Sequence, residues 1–352
     1  MNIQNRLTAF AKLGKFMRQF AHDKYRIDPN VDGNELFYDG MRHQLKLAHE
    51  ANGWFTNDNL IFAFNSWSEC LTEERLNDWL SSYNFSETGS KTIAVIMAGN
   101  IPLVGFHDFL SILISGHNII VKLASQDKHL LPYLVQYLKH VEPGFNSKIA
   151  FSDGKLERFD AVIATGSNNT ARYFDYYFRD VPALIRRNRN SVAVLSGDES
   201  EDQMAGLAED IFRYFGLGCR SVSKLFIPKN YDFDKFFNAM YSWRSVINDQ
   251  KYANNYDYNK AVYLMSNYDM LENGFLMLKE DSNYASPIAT VFFDYYNSRQ
   301  DIKDKLKADS NKIQCFVSDG FFVNEVAFGQ TQKPKLNDYA DGIDTVDFLL
   351  KI

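Results

Sequence analysis

Cysteine is scarce. Cys70, Cys219 and Cys315 are widely spaced and include no CxxC pair, which argues against a disulfide framework or a structural zinc site and fits a reducing cytoplasm. The seven histidines are scattered without metal-ligand spacing, so no metal is expected. No stretch approaches the run of about 18 apolar residues that a membrane span requires. The richest segment, Ile101 to Ile114, is broken by Pro102, Gly105, His107 and Asp108. Met1 to Phe20 mixes apolar residues with Lys12, Lys15 and Arg18 and has no secretory-signal character. Positive charge is also short: a net charge of -6 and a pI near 5.7 provide no field for a nucleic-acid backbone, so nucleic acid is not an expected partner. Neither a Gly-x-Ser-x-Gly elbow nor a P-loop occurs.

What is present suffices for a large core. With 352 residues, 45% of them hydrophobic, the chain is expected to fold as about two domains without staples. Residues 1–88 read as helical, with stripes at Leu7, Phe10, Ala11, Leu13 and Gly14 and at Leu71, Leu76, Trp79 and Leu80. From Lys91 the pattern changes. Thr92 to Met97 is a short apolar run that leads through Ala98-Gly99-Asn100-Ile101-Pro102 into a helical pattern, and Ile119 to Leu123 repeats the rhythm. Further strands are expected at 148–151, 160–164 and 191–195, together forming a doubly wound parallel sheet. A second α/β domain is placed at 196–320, opening with a helical stripe through Met204, Leu207, Ala208, Ile211, Phe212 and Phe215. Residues 321–352 form a loop-rich return segment ending in a short helix.

Several residues stand where chemistry is possible. Cys219 lies in Gly216-Leu217-Gly218-Cys219-Arg220, a permissive turn before a strand, where Arg220 and Lys224 would favour the thiolate. The same cysteine is compatible with a small buried hydrophobe. Asn100, in the turn after the first parallel strand, either donates to an oxyanion or simply turns the chain. Thr165-Gly166-Ser167 also joins a strand to a helix, where backbone N–H groups suit a pyrophosphate and where Ser167 equally serves as an N-cap. Lys122 and Ser125 occupy the place at which a dinucleotide fold reads the adenosine ribose. No acid occupies positions 122–126, which leans towards NADPH over NADH, with Asp127 close enough to weaken that preference. Arg186, Arg187 and Arg189 form a basic cluster suited to phosphate or to a solvated face.

Taken in order, Ala98-Gly99-Asn100-Ile101-Pro102-Leu103-Val104-Gly105, Gly116-His117-Asn118-Ile119-Ile120-Val121-Lys122-Leu123-Ala124-Ser125 and Phe215-Gly216-Leu217-Gly218-Cys219-Arg220 resemble the acyl-CoA reductase family. This is the branch of the aldehyde dehydrogenase superfamily that includes the fatty-acid reductase subunit of bacterial bioluminescence. The likeness spans about residues 90–345, and residues 1–88 match nothing recognisable. It implies an aldehyde-dehydrogenase-like α/β fold: a helical N-terminal region (1–88), an NADP-binding Rossmann-like domain (89–195), a catalytic domain with the nucleophilic cysteine (196–320) and the return segment (321–352).

The resemblance also implies roles. Cys219 becomes the nucleophile, and Asn100 the oxyanion donor beside the cysteine N–H. Lys122 touches the cofactor ribose, Ser125 replaces a glutamate common in NAD-preferring relatives, and Thr165, Gly166 and Ser167 lie by the pyrophosphate and nicotinamide. Ala327-Phe328-Gly329 resembles a glycine-containing segment near the C-terminus of such enzymes. One departure is informative: Leu184 to Asn190 lacks the glutamate that activates water in hydrolytic relatives. Asn283-Tyr284-Ala285-Ser286 likewise lacks the cofactor-side glutamate expected before Pro287. The expected activity is therefore NADPH-dependent reduction of an acyl-CoA or other acyl thioester to an aldehyde through an S-acyl-enzyme. An oxidising aldehyde dehydrogenase and a non-catalytic acyl- or nucleotide-binding protein are the alternatives. A homo-oligomer is expected, while any acyl-transfer partner protein stays unidentified.

Overall fold

The computed structural model describes residues 1–85 and 89–352; the expected boundary at residue 88 falls on 86–88, outside that range. The chain divides into two compact units, residues 1–187 with 335–352 and residues 188–334.

The first unit begins with α1 (Ile3–Arg18), α2 (Asn34–Ala51), α3 (Asn57–Cys70) and α4 (Glu73–Leu80). Side-chain oxygens of Asn2, Thr56 and Thr72 accept from N–H groups in the first turns of α1, α3 and α4, satisfying donors that have no partner inside a helix. There follow β1 (Thr92–Ile96), α5 (Phe106–Ile114), β2 (Asn118–Lys122), α6 (Leu130–Val141), β3 (Ile149–Phe151), β4 (Ala161–Thr165), α7 (Asn168–Tyr177) and β5 (Ala183–Arg186). The five strands are parallel, in the order β3-β2-β1-β4-β5. Fully buried runs such as Ile93-Ala94-Val95 and Ala161 to Ala164 are what a sheet covered on both faces demands.

The N-terminal helices are no separate body. Their apolar faces share one core with the sheet: Phe10 meets Phe109 and Phe145 edge-on at 6.3 and 5.8 Å, and Phe16 stacks on Tyr137 at 4.1 Å.

The second unit contains β6 (Asn190–Val194), α8 (Glu201–Phe212), β7 (Val222–Pro228), α9 (Phe233–Met240), α10 (Gln250–Met265), β8 (Met270–Glu272), β9 (Met277–Glu280), β10 (Thr290–Tyr296), α11 (Arg299–Ala308) and β11 (Ile313–Val317). Its sheet runs β11-β6-β7-β10-β9-β8, parallel except at the β8–β9 edge. The strand expected at 191–195 therefore forms as β6, but it pairs with β7 and β11 rather than joining the first sheet. Ser200 and Gln203 close a reciprocal capping box on α8, which ends at Phe212. Phe215 is not on the helical stripe, because Tyr214 and Phe215 take left-handed φ values of 56° and 57°. A final helix, α12 (Thr345–Leu350), belongs to the first unit. His117 anchors it: Lys91 N–H donates to Nδ1 at 3.1 Å, so Nε2 carries the proton and donates to the Leu349 carbonyl at 2.9 Å.

Candidate functional site

In the first unit the chain runs outward through β1, β2 and β3, then crosses back to β4 and β5 on the other side of β1. The topological switch point lies between β1 and β4, where open α/β sheets bind ligands at the carboxyl ends of their strands. Register aligns those ends: Ile96 pairs with both Lys122 and Ala164, and Thr165 pairs with Arg186. Asn100 and Thr165-Gly166-Ser167 thus flank the switch point, with Lys122 and Ser125 on the β2 side of the same edge.

Asn100 is half-buried, in a turn that is held from below. A Cβ on Gly99 would approach the Ala124 Cβ to 2.7 Å and the Asp127 Cβ to 3.2 Å, so this backbone sits directly on residues 124–127. Leu103 takes φ 57°, a left-handed conformation that costs a non-glycine residue about 1–3 kcal/mol. Its backbone N–H favours the charged form of the Asp127 carboxyl, which burial opposes.

Lys122 Nζ donates to the Gly154 carbonyl at 3.0 Å, and Ser125 is exposed. Asp127, feared as a ribose-binding acid, is instead buried, and burial pushes its pKa up to about 7. Ser167 is the N-cap of α7, accepting from Thr170 N–H at 3.2 Å. Gly166 packs closely on α7, where a Cβ would meet Thr170 and Phe174 at 3.0–3.1 Å, and its N–H donates to the Arg186 carbonyl at 3.3 Å.

The basic cluster is a correction. Arg186 is 5% exposed and grips Asp108 through Nε and Nη2 at 3.2 and 2.6 Å, with further bonds to Ala340 O and Thr345 Oγ1. A guanidinium so enclosed is neither a phosphate ligand nor a solvated face. Arg187 pairs at the surface with Asp175 at 2.6 Å.

In the second unit, Cys219 is exposed, in the turn before β7. The turn is tightly held. Ser221 N–H donates to the Gly218 carbonyl at 3.0 Å, the buried Ser191 hydroxyl donates to the Cys219 carbonyl at 3.0 Å, and Arg220 Nε donates to Thr331 O. Thr331 is fixed in turn by Asp210, whose buried carboxylate accepts from Thr331 N–H, Thr331 Oγ1 and Gly329 N–H at 3.0, 2.8 and 2.7 Å. That bond to Gly329 places the Ala327-Phe328-Gly329 segment against α8. Lys224 does not act as a surface cation for the thiolate: it is fully buried, donates to the Asp281 carbonyl, and desolvation lowers its pKa to about 8. A cavity of about 30 Å³ beside this turn, lined by Phe215, Gly216, Val222, Ser223 and Tyr252 among others, has room for about one water molecule and none for an acyl chain.

Among the described residues no cluster of three or more His, Cys, Asp or Glu side chains is arranged to hold a metal, and no helix is long and apolar enough to cross a membrane.

Residues 73–242 match the model of the acyl-CoA reductase (LuxC) family. That stretch, just under half of the chain, is thus similar to acyl-CoA reductases of the LuxC family. The matched stretch contains Asn100, Lys122, Ser125, Thr165, Gly166, Ser167 and Cys219, whereas residues 243–345, including Ala327-Phe328-Gly329, lie beyond it. No curated protein sequence matches the chain. Solved structures show the fold. Aldehyde dehydrogenase 21 from Physcomitrella patens, in complex with its product succinate, superposes with a TM-score of 0.68 at 11% identity, covering 100% of this chain and 84% of its own. The Bacillus cereus aldehyde dehydrogenase in its NAD+ complex gives 0.61 at 13% identity, covering 90% and 72%. The reductase match and the aldehyde-dehydrogenase fold together support an oxidoreductase acting on acyl or aldehyde groups.

Proposed function

We propose that the chain is an NADPH-dependent reductase that takes the acyl group of an acyl-CoA or other acyl thioester onto Cys219 and releases it as an aldehyde. The observation that carries this reading is an exposed cysteine on a backbone-anchored turn, inside the stretch that matches the acyl-CoA reductase family.

The Cys219 thiolate attacks the thioester carbonyl. A C–S bond forms and the carbonyl electrons move to oxygen. The Cys219 N–H and the Asn100 amide are the proposed donors to that oxyanion, each worth about 3 kcal/mol in the transition state. Collapse breaks the bond to the departing thiol, which leaves as thiolate and takes a proton, while the acyl group stays on Cys219.

The carboxyl edge of the first sheet fits a nicotinamide dinucleotide. Ser167 opens α7 beside the switch point, and a helix N-terminus there suits a pyrophosphate. Lys122 and the exposed Ser125 occupy the ribose side, and Asp127, being buried on Leu103, presents no surface carboxylate to repel a 2'-phosphate. When bound, NADPH supplies the hydride that reduces the acyl carbon. The same two donors hold the second oxyanion, whose collapse frees Cys219 and the aldehyde. With no acid in 184–190 to activate water, the acyl-enzyme persists long enough to be reduced. The protein is proposed to act in the cytoplasm as a homo-oligomer.

The test is NADPH oxidation by the purified protein in the presence of a series of acyl-CoAs, with the aldehyde identified. Acyl-CoA-dependent oxidation with one aldehyde per NADPH supports the reading. Aldehyde oxidation without coenzyme A and no acyl-CoA reduction would replace it with an oxidising dehydrogenase.

A further inference from the structure

Two polar side chains outside the proposed chemistry hold the turn that carries Asn100. Asn52, just after α2, is 2% exposed. Its Nδ2 donates to the Gly99 carbonyl at 3.1 Å, and its Oδ1 accepts from Trp54 N–H at 3.1 Å. Its own backbone is tied down as well, the N–H to Ala48 O at 3.0 Å and the carbonyl to Phe55 N–H at 2.8 Å. Asp127 approaches from the other side of the turn. It is 7% exposed, its N–H donates to the Ala124 carbonyl at 3.1 Å, its Cβ lies 3.2 Å from where a Cβ on Gly99 would stand, and the Leu103 N–H favours its charged form. The two contacts bracket Asn100, one at the preceding residue and one three residues on. Between them the backbone must pass through the left-handed Leu103 and lie on Ala124 with no room for a Cβ at Gly99. A strained conformation persists only where its surroundings over-determine it.

We propose that Asn52 and Asp127 are positioning residues that clamp the turn 98–105 and so fix where Asn100 presents its amide. This rests on the reading of Asn100 as an oxyanion donor. It also gives the N-terminal helices a catalytic purpose, since the donor at Asn52 comes from the end of α2. A displacement of about 1 Å in such a group is enough to cost about 100-fold in rate.

The test uses full-length Asn52→Asp, which keeps the oxygen for Trp54 but removes the donor to Gly99, together with Asp127→Leu and Asp127→Asn. The asparagine retains an acceptor for Leu103. Two quantities are read: the single-turnover rate of coenzyme A release from a saturating acyl-CoA, and hydrogen exchange of the amides in 98–105. Asn52→Asp and Asp127→Leu are expected to slow release by about 10- to 100-fold with little change in the acyl-CoA KM, and to speed exchange in that turn. Asp127→Asn should restore both towards wild type. Wild-type exchange and release in the first two variants overturns the proposal, as does an Asp127→Asn that fails as badly as Asp127→Leu. If Asp127→Leu does not fold, Asp127→Ala and the Asn52 variant decide. Should the wild type itself release no coenzyme A, the reductase reading fails, while exchange still shows whether the clamp exists.

Discussion

The hydroxyl of Ser191, at the start of β6, donates to the carbonyl of Cys219 over 3.0 Å. This bond ties the turn that carries the exposed Cys219 to the buried amino end of β6, the strand next to β7. Removing the hydroxyl leaves the Cys219 carbonyl without this donor. Ser191→Ala is expected to lower the unfolding free energy by about 1 kcal/mol, read by chemical denaturation, and to raise amide exchange across 216–221.

The buried pair Arg186–Asp108 fixes β5 to α5, and breaking it strands a charge in the core. Asp108→Asn leaves the guanidinium uncompensated and should cost about 3–5 kcal/mol by denaturant titration. The exposed pair Arg187–Asp175 makes the contrast. Asp175→Ala should change stability by less than about 1 kcal/mol.

Asp127 sets a pH dependence. Burial pushes the folded-state pKa of its carboxyl from the ordinary 3.8 up to about 7, so between those values the folded state binds the extra proton. Its contribution is therefore fully favourable below pH 3.8 and is lost as pH rises to about 7, and wild-type stability falls across that window. Asp127→Asn removes this slope. The stability of the variant relative to wild type should rise by up to about 4 kcal/mol over the window, measured by denaturation at a series of pH values. An unchanged slope would place the titration elsewhere.

Cofactor choice is tested at Ser125. A glutamate there repels a 2'-phosphate and hydrogen-bonds a free 2'-hydroxyl. Ser125→Glu is expected to shift the kcat/KM ratio of NADPH to NADH by about tenfold or more towards NADH, a change of about 1.4 kcal/mol.

The parallel sheet of the first unit was legible because its strands are short, β-branched and bracketed by turn residues, as in Ile93 to Val95 and Ile119 to Val121. The position of β6 was not, since an apolar run shows that a strand is covered but not which sheet covers it. Arg186 was misjudged for a related reason: two neighbouring arginines suggest a surface, and its partner Asp108 lies 78 residues away. Similarly, nothing local marks Asn52, whose side chain meets Gly99 47 residues on, and Asp127 reads in the sequence as an acid near the cofactor rather than as a buried group packed on the Gly99 turn. Cys219, Asn100, Lys122, Ser125 and the 165–167 turn stand out in the sequence because they lie beside glycines and strand ends, and the stretch that matches the family model contains them all.

The central claim is a covalent acyl group on Cys219, and intact-protein mass spectrometry reads it directly. Wild type and Cys219→Ser are incubated with a panel of acyl-CoAs, first without and then with NADPH. The account predicts that the wild type gains the mass of one acyl group, that NADPH removes it as aldehyde, and that Cys219→Ser gains nothing. A wild type that no thioester acylates, or a Cys219→Ser variant acylated as readily as wild type, would contradict it.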